Sequence, residues 1–423
     1  MNLEELTKLR RDFHKFAEAG WCEFRTTSII AETLSKLGYE VQVGKAILDE
    51  SSVMGRDESI VPNEIERALR QGADPKWIEK MEGYTGALAV LDTGKEGPTI
   101  ALRFDIDAVE VSEAKDDKHR PYREGFSSVN SGAMHACGHD GHAAIGLGVA
   151  QVLAAEKDLL RGKIKLIFQP AEEGVRGGKA IAEKGILDDC DYLLALHLGL
   201  GLPTGKIAGG VAGLLCTTKF DVFYKGKASH AGVAPNEGKN ALLGAANAVI
   251  NLQAIASHRK GTSRINVGVL HAGEGRNVIP PKAMFKAETR GETEEIASYV
   301  YERAMKIVKS CASMYDLECI VKEMGKSTTA KSDGDLVDLI CQVAEETREF
   351  NSIESFYNMG GSDDFSWMMK RVQEKGGKAS YIALGADIEA GHHNEYFDFD
   401  EKSLLKGVVL MSQLVEKLTN SES

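Results

Sequence analysis

The sequence predicts an α/β protein in which a larger domain, built on a mixed sheet flanked by helices, is interrupted by a smaller α+β domain. Its 423 residues are too many for one ordinary domain and enough for two. Between positions 84 and 197, short apolar runs alternate with helical patterns, which indicates a layered sheet with helices on both faces. From position 216 the predicted elements follow the order β-α-β-β-α-β, which describes a split βαβ, ferredoxin-like domain.

The chain opens with predicted helices. Apolar residues recur at helical spacing from Leu3 to Phe16, and a second helix is predicted over residues 28–37. Residues 47–83 are polar and charged, with a helical pattern over 63–71, and we interpret this stretch as a surface insertion.

The next stretch contains the strands of the larger domain. The segments GALAVLD, TIALRFD, KIKLIFQ and DYLLALH are short apolar runs bounded by Gly, Pro or Asp, as is typical of buried strands. A long amphipathic helix is predicted over residues 141–160 and a shorter one over 177–184.

The smaller domain begins with the strand TTKFDVFYKG. A long helix over 240–258, the strands INVGVLHAG and AMFKAETRG, a second helix over 293–314 and the strand LECIVKEM follow in order. The segment KSTTAKSDG is predicted to lead back to the larger domain, where helices, the strand SYIALG and a last helix follow. We therefore expect the larger domain at 1–215 and 327–423 and the smaller one at 216–326.

Composition limits the class of function. The 51 basic and 63 acidic residues give a net charge of -12, and no Lys/Arg block is present, which argues against nucleic acid as a partner. The N-terminus has no signal-peptide pattern, and no apolar run approaches the ~18 residues that span a membrane. Seven cysteines at irregular spacing argue against a disulfide framework and favour a reducing, cytoplasmic compartment.

Side chains that bind metals collect after the predicted strands. In an open α/β sheet, groups that follow different strands meet at the carboxyl edge. A loop containing Gly allows the Cys and His of HACGHDGH to converge on one ion, and thiolate, imidazole and carboxylate together suit zinc, or manganese or cobalt where carboxylates dominate. The segments are RFDID (103–107), HACGHDGH (135–142), QPAEEG (169–174), His197 and HHNE (392–395).

These motifs, with KASHAG at 227–232, resemble in their order the amidohydrolase branch of the aminoacylase/carboxypeptidase metallopeptidase family. The stretches RRDFHKFAEAGWCEFRT, ESSVMG, HRPYREGF, TTKFDV, GRNVIP and HHNEYFDFDE extend the resemblance over nearly the whole chain, insertion included. The resemblance implies a two-metal site in the larger domain and a smaller lid domain that also mediates dimerisation.

Carried over residue by residue, the resemblance implies a general base at Glu172 and, at Asp107, an aspartate that orients a metal ligand. The chain has Asp105 and Cys137 where the wider family has His and Asp, which is the pattern of the amidohydrolase branch and leaves the metal open between zinc and manganese. The implied metal ligands are Cys137, His139, Glu173, His197 and His393.

Three residues of the smaller domain are implied to act on the substrate. His230, often contributed by the partner in a dimer, would stabilise the tetrahedral oxyanion, and Asn277 and Arg290 would hold the substrate carboxylate. Arg suits that task because its planar fork pairs bidentately with a carboxylate.

The expected function is hydrolysis of the amide of an N-acyl acidic amino acid, p-aminobenzoyl-glutamate above all, by a water that two divalent ions activate. The expected assembly is a homodimer, or a heterodimer with a related second subunit. The alternatives are hydrolysis of another N-acyl amino acid, such as an indole-acyl aspartate, and a non-catalytic subunit of a hetero-oligomer. Cys137 as a nucleophile would leave the other ligand-type groups without a purpose.

Overall fold

The computed structural model describes residues 1–420. The chain forms two compact units. Unit 1 comprises Met1–Gly213, Ala330–Gly360 and the chain from Asp364 onward, and unit 2 comprises Leu214–Thr329 with Gly361–Asp363. Unit 2 therefore interrupts unit 1 in sequence.

The first part of unit 1 holds seven α-helices and six strands within the described residues. Helix α1 is capped by Asn2, whose side chain accepts the backbone N–H of Glu5 while the Glu5 carboxylate accepts that of Asn2. In order, the elements are α1 (Leu3–Lys15), α2 (Phe24–Lys36), β1 (Glu40–Val43), α3 (Val61–Arg70), α4 (Pro75–Met81), β2 (Ala87–Asp92), β3 (Thr99–Asp105), α5 (Arg120–Arg123), α6 (His139–Ala155), β4 (Lys163–Gln169), α7 (Gly178–Glu183), β5 (Tyr192–Leu198) and β6 (Lys206–Ala212).

The remaining elements form unit 2 and the second part of unit 1. Unit 2 contains β7 (Cys216–Lys225), α8 (Ala241–Gln253), β8 (Ser263–Ala272), β9 (Lys282–Gly291), α9 (Glu294–Met314) and β10 (Glu318–Ser327). The chain then adds α10 (Gly334–Thr347), β11 (Ser352–Asn358), α11 (Phe365–Glu374), β12 (Lys378–Leu384) and α12 (Lys402–Asn420) to unit 1. None of the helices among residues 1–420 is long and apolar enough to cross a membrane.

The sheet of unit 1 has eight strands in the order β1-β2-β4-β3-β5-β12-β6-β11. Strands β4, β3, β5 and β12 run parallel to one another, whereas β2 pairs antiparallel with β4 and β6 pairs antiparallel with β12. The predicted α/β fold with a mixed sheet is confirmed.

Helices cover both faces of this sheet, as alternate residues of β3 show. The ring of Phe104 lies beside Gly146 of α6, where a Cβ on that glycine would come within 2.7 Å of it. Arg103 points to the other face, where its guanidinium lies 5.4 Å from the ring centroid of Phe365 on α11. The close approach of α6 to the sheet therefore depends on the absence of a side chain at Gly146.

The stretch at 47–83, expected as a surface insertion, contributes to the main core. Val61 and Ala68 on α3 and Trp77, Ile78 and Met81 on α4 are buried in the same apolar cluster as the sheet. Short apolar stripes on otherwise charged helices are sufficient for this burial.

Unit 2 is a four-stranded antiparallel sheet in the order β10-β7-β9-β8 with α8 and α9 packed on one face. Along β9, Ala283, Phe285 and Ala287 alternate into the core beneath these helices. The predicted smaller α+β domain has this architecture.

Candidate metal centre

The carboxyl ends of four neighbouring parallel strands meet at one edge of the unit 1 sheet. Asp105 ends β3 and pairs with Gln169, the last residue of β4. His197 lies near the end of β5 and pairs with Ala383 near the end of β12. The polar segments that follow these strands therefore begin at a common edge, where open α/β sheets bind their ligands.

The motif HACGHDGH forms the entry to α6. Gly138 has φ 91°, a left-handed conformation that glycine adopts without steric cost, and His139 is the first residue of the helix. This turn lets Cys137 and His139 face the same point, and their donor atoms lie within 4.8 Å of each other and of a His197 donor.

The five predicted ligands fall into two groups that share one residue. Cys137 Sγ lies 3.5 Å from His197 Nε2, in the group that also contains His139. A second group contains Cys137, Glu173 and His393, with His393 Nε2 3.2 Å from Glu173 Oε1. The structure therefore brings all five side chains together, and Cys137 is the donor common to both groups.

Two of the imidazoles are oriented by backbone carbonyls. His139 Nδ1 donates to the carbonyl oxygen of Asp107 at 2.9 Å, and His197 Nδ1 donates to that of Leu198 at 2.9 Å. In the neutral form of each ring, Nε2 is therefore the nitrogen without a proton, which is the arrangement of metal-binding histidines. Among the described residues, the buried Nε2 of His139 has no hydrogen-bond partner.

Asp107 shapes the loop that carries Glu172 and Glu173. Its two carboxylate oxygens accept the backbone N–H groups of Glu172 at 3.1 Å and Glu173 at 2.9 Å. The buried carboxylate of Glu23 accepts the N–H of Ala171 at 2.7 Å. Glu172 Oε2 lies 4.0 Å from His139 Nε2, so this side chain borders the ligand groups.

The electrostatics of the group favour added positive charge. Burial and the Glu173 carboxylate raise the pKa of the Cys137 thiol. Hydrogen bonds to Cys137 and Glu173 raise the pKa of His393 to about 10. Although burial opposes its charge, Asp105 and Cys137 raise the pKa of His139 well above its usual range. These three side chains therefore retain protons at positions where bound cations would compensate the same negative charges.

The donors fit divalent metal ions. One thiol, three imidazoles and one carboxylate converge, and an oriented, buried imidazole nitrogen lacks a hydrogen-bond partner among the residues described. Such mixed sulfur, nitrogen and oxygen ligands suit zinc and related ions.

Sequence reasoning missed the side chains that support this group. The His142 ring donates from Nδ1 to Asp105, which also binds Arg103, and its Nε2 accepts the N–H of Leu198 at 2.9 Å. His392 accepts the N–H of Leu200 at Nε2 and places Nδ1 3.6 Å from Cys137 Sγ. The last histidine of HACGHDGH and the doublet in HHNE were the only signals of these contacts.

The three residues of the smaller domain that are expected to act on the substrate lie at two separate places within unit 2. His230 and Asn277 are exposed on adjacent segments, where the N–H of Ala231 donates to the Asn277 carbonyl at 2.9 Å. Arg290 lies near the end of β9, about 25 Å along the strand from its first residue, Lys282. Its guanidinium pairs with Glu288 at 2.9 Å. Unit 2 brings His230 and Asn277 together and leaves Arg290 apart.

Residues 101–417 match peptidase family M20/M25/M40. The chain is 48% identical to a p-aminobenzoyl-glutamate hydrolase chain, the A subunit, of Escherichia coli (strain K12), over 97% of this chain and 94% of that protein. It is 50% identical to indole-3-acetyl-aspartic acid hydrolase of Enterobacter agglomerans, over 94% of this chain and 92% of that protein.

A solved structure is similar over almost the whole chain. The aminobenzoyl-glutamate utilization protein of Klebsiella pneumoniae superimposes with a TM-score of 0.85 at 39% identity, covering 99% of this chain and 97% of that one. The similarity includes the insertion and both units.

Proposed function

We propose that this chain, which belongs to peptidase family M20/M25/M40 and is a metal-dependent amidohydrolase, cleaves the amide between an aromatic acyl group and an acidic amino acid, p-aminobenzoyl-glutamate above all. The observation that carries the proposal is the convergence of five metal-binding side chains beside Glu172 at one sheet edge. Two of its relatives are hydrolases of an aryl or indolyl acyl group joined to Glu or Asp, as their names state.

The metal ligands would be Cys137, His139, Glu173, His197 and His393, and the ions would be zinc or manganese. When bound, such ions supply a nucleophilic water at neutral pH and polarise the scissile carbonyl. The remaining chemistry is that of the chain's own residues.

Glu172 would act as general base and then as general acid. Its carboxylate is largely buried and borders the ligand groups, and Asp107 fixes its backbone. From there it would take a proton from the attacking water and deliver it to the leaving nitrogen. Asp107 acts on the reaction by holding Glu172, Glu173 and His139 in place.

Unit 2 would supply the groups that bind the rest of the substrate. His230 would stabilise the tetrahedral oxyanion, and Asn277 and Arg290 would hold a carboxylate. Because Arg290 lies about 25 Å along β9 from the end of that strand that follows Asn277, a substrate of this size would contact all three residues only if two chains contribute.

The surface of unit 2 supports such a dimer. Strand β8 pairs only with β9 among the described strands, so one edge is open for a second chain. The neighbouring helix α8 exposes Ile250 to 70% and Leu243 to 43%. The expected result is a dimer of the purified chain by sedimentation that Ile250→Asp dissociates. A wild-type chain that stays a monomer would contradict this part.

All seven cysteines are free thiols, five of them buried. Unpaired thiols persist in reducing compartments, which favours the cytoplasm as the site of action.

A substrate panel tests the function. The purified chain, loaded with zinc or with manganese, is assayed on p-aminobenzoyl-glutamate, indole-3-acetyl-aspartate and an N-acyl amino acid with a neutral side chain. We expect turnover of the two acidic substrates and the highest kcat/KM on p-aminobenzoyl-glutamate. Preference for the neutral compound would contradict the proposed class, and preference for indole-3-acetyl-aspartate would favour the second candidate.

A further inference from the structure

Arg10, in the middle of α1, is fully buried and surrounded by carboxylates. Its guanidinium lies 2.7 Å from Asp140, 2.8 Å from Asp398 and 3.2 Å from Glu401. The same group stacks 4.4 Å from the ring centroid of Phe399. A helix that begins at the N-terminus thus inserts a cation between two distant parts of the chain.

His14 lies one turn further along α1 and continues this network. Its Nδ1 binds Asp140 at 2.8 Å and its Nε2 binds Glu113 at 2.9 Å. Glu113 is also bound by His119 at 2.7 Å. With both nitrogens on carboxylates, the ring of His14 joins the Asp140 and Glu113 segments.

The carboxylates on which Arg10 and His14 converge lie on the segments that carry the metal donors. Asp140 follows His139 directly, in the first turn of α6. Asp398 follows the segment of His393, and the segment of Glu113 follows Asp107. Helix α1 therefore adds buried ionic contacts to three segments that backbone hydrogen bonds also connect, such as those between Val109 and Met134 and between His393 and Ala136.

Stability alone does not account for such a cluster. Removing a guanidinium and its partners from water is costly, and apolar residues of similar volume often stabilise a fold as well or better. A buried network of hydrogen-bonded charges, such as that of Arg10 and His14, fixes the relative positions of its members closely. The contacts of this network are therefore suited to fixing the relative positions of the segments that it joins.

The distances among His14, Glu113 and His119 are those of hydrogen bonds and do not favour a further metal site. The donors of His14, Glu113 and His119 lie within 4.8 Å of one another. Their closest N–O separations, 2.9 and 2.7 Å, are those of hydrogen bonds, and the other nitrogen of His14 is also hydrogen-bonded.

We propose that Arg10 and His14 are positioning residues of the metal centre: through Asp140, Asp398 and Glu113 they hold the segments of His139, His393 and Asp107 in the arrangement that binds the ions. This inference rests on the metal centre of the proposed function. Arg10 and His14 touch neither the donors nor Glu172, so their effect is on the geometry of the ligands.

The test compares Arg10→Lys and His14→Gln with a matched control. Arg25→Lys removes another largely buried guanidinium, which binds Asp12 on the same helix α1 at 2.9 Å without contacting a ligand-bearing segment. For each protein, metal affinity is measured by chelator competition, the ligand field by the absorption spectrum of the cobalt(II) form, and stability by urea unfolding of the metal-free protein.

We expect Arg10→Lys and His14→Gln to weaken metal binding by about 10–100-fold and to change the cobalt spectrum, as loss of supporting contacts does in other metal sites. Arg25→Lys should lower the stability of the metal-free protein while keeping the affinity and spectrum of the wild type. If one of the two network variants fails to fold, the other still decides the comparison.

Three results would overturn the inference. One is wild-type affinity and spectrum in folded variants of Arg10 and His14. Another is an equal loss of affinity in Arg25→Lys, which would make the effect one of general stability. The third is a third bound ion that His119→Ala removes. A wild-type chain that binds no metal would instead contradict the proposed function itself.

Discussion

The carboxylate of Asp107 accepts the backbone N–H of Glu173 at 2.9 Å. Through this bond the end of β3 fixes the loop after β4, and the Asp107 carbonyl orients His139 from the same position. One residue thus links a predicted metal ligand of the loop, a predicted ligand of α6 and the predicted base Glu172.

Asp107→Asn tests the role of the double acceptor. The amide keeps one acceptor oxygen and places an N–H₂ against the second backbone N–H, so one of the two bonds is lost and the loop shifts. We expect activity to fall by about 10–100-fold, as for other residues that support metal ligands. Asp92→Asn, on the exposed end of β2, is the control and should retain activity. Equal kcat/KM in the two variants would contradict the role of Asp107.

Cys137→Ala tests the donor shared by both groups. Removing it should leave each group one ligand short, and elemental analysis should show the loss of at least one of two ions per chain. Cys190→Ala, which removes a buried thiol outside the site, should keep the wild-type metal content. The same metal content in all three proteins would exclude Cys137 as a ligand.

Arg290 tests recognition of the acidic substrate. A paired guanidinium and carboxylate that lose one partner cost about 2–5 kcal/mol when desolvated. Wild type should therefore prefer an N-acyl-glutamate to its α-amide, and Arg290→Ala should lose that preference. Lys286→Ala, exposed on the same strand, should discriminate as wild type does. If Arg290→Ala still discriminates, the carboxylate is bound elsewhere.

The buried His14 predicts a specific dependence of stability on pH. Burial opposes its charge, but hydrogen bonds to Asp140 and Glu113 outweigh this and raise its pKa to about 9, from 6.5. Protonation of His14 therefore stabilises the folded state fully below pH 6.5, and this contribution is lost as the pH rises through about 9.

Urea unfolding at about pH 6.5 and pH 9.5 measures the effect. Wild type should lose about 3 kcal/mol more of its free energy of unfolding than His14→Gln over this interval, as an order of magnitude. Groups common to both proteins titrate equally and cancel in the comparison. Parallel losses would mean that His14 is not charged in the folded chain.

The sequence was sufficient for the fold class, because apolar strands carry strong local patterns. The five ligands predicted from the segments after these strands lie close together in the structure. Three strands of the larger sheet were not predicted, and the shortest of them is β1, EVQV, with four residues. β6, KIAGGVA, is interrupted by two glycines, and β11, SIESFYN, is a largely exposed edge strand with polar residues. Both lack the continuous apolar run by which the central strands were recognised.

Contacts between distant residues account for what the sequence did not reveal. In the sequence, Arg10 has the pattern of a charged residue on the exposed face of a helix. Only the fold places it beside Asp398, 388 residues away. His142 and Asp105 meet across 37 residues in the same manner. Charges on α3 and α4 concealed the apolar side chains that enter the core at 61–81.

The central claim is that Glu172 performs proton transfer at a metal centre built by the other residues, and Glu172→Gln tests it most directly. The amide has nearly the same shape but cannot take a proton, so the turnover of p-aminobenzoyl-glutamate should fall by about 10²–10⁴-fold. Metal content measured on the same sample should stay at the wild-type value, and Glu183→Gln, exposed on α7, should retain full turnover. Wild-type turnover in a metal-loaded Glu172→Gln protein would contradict the account.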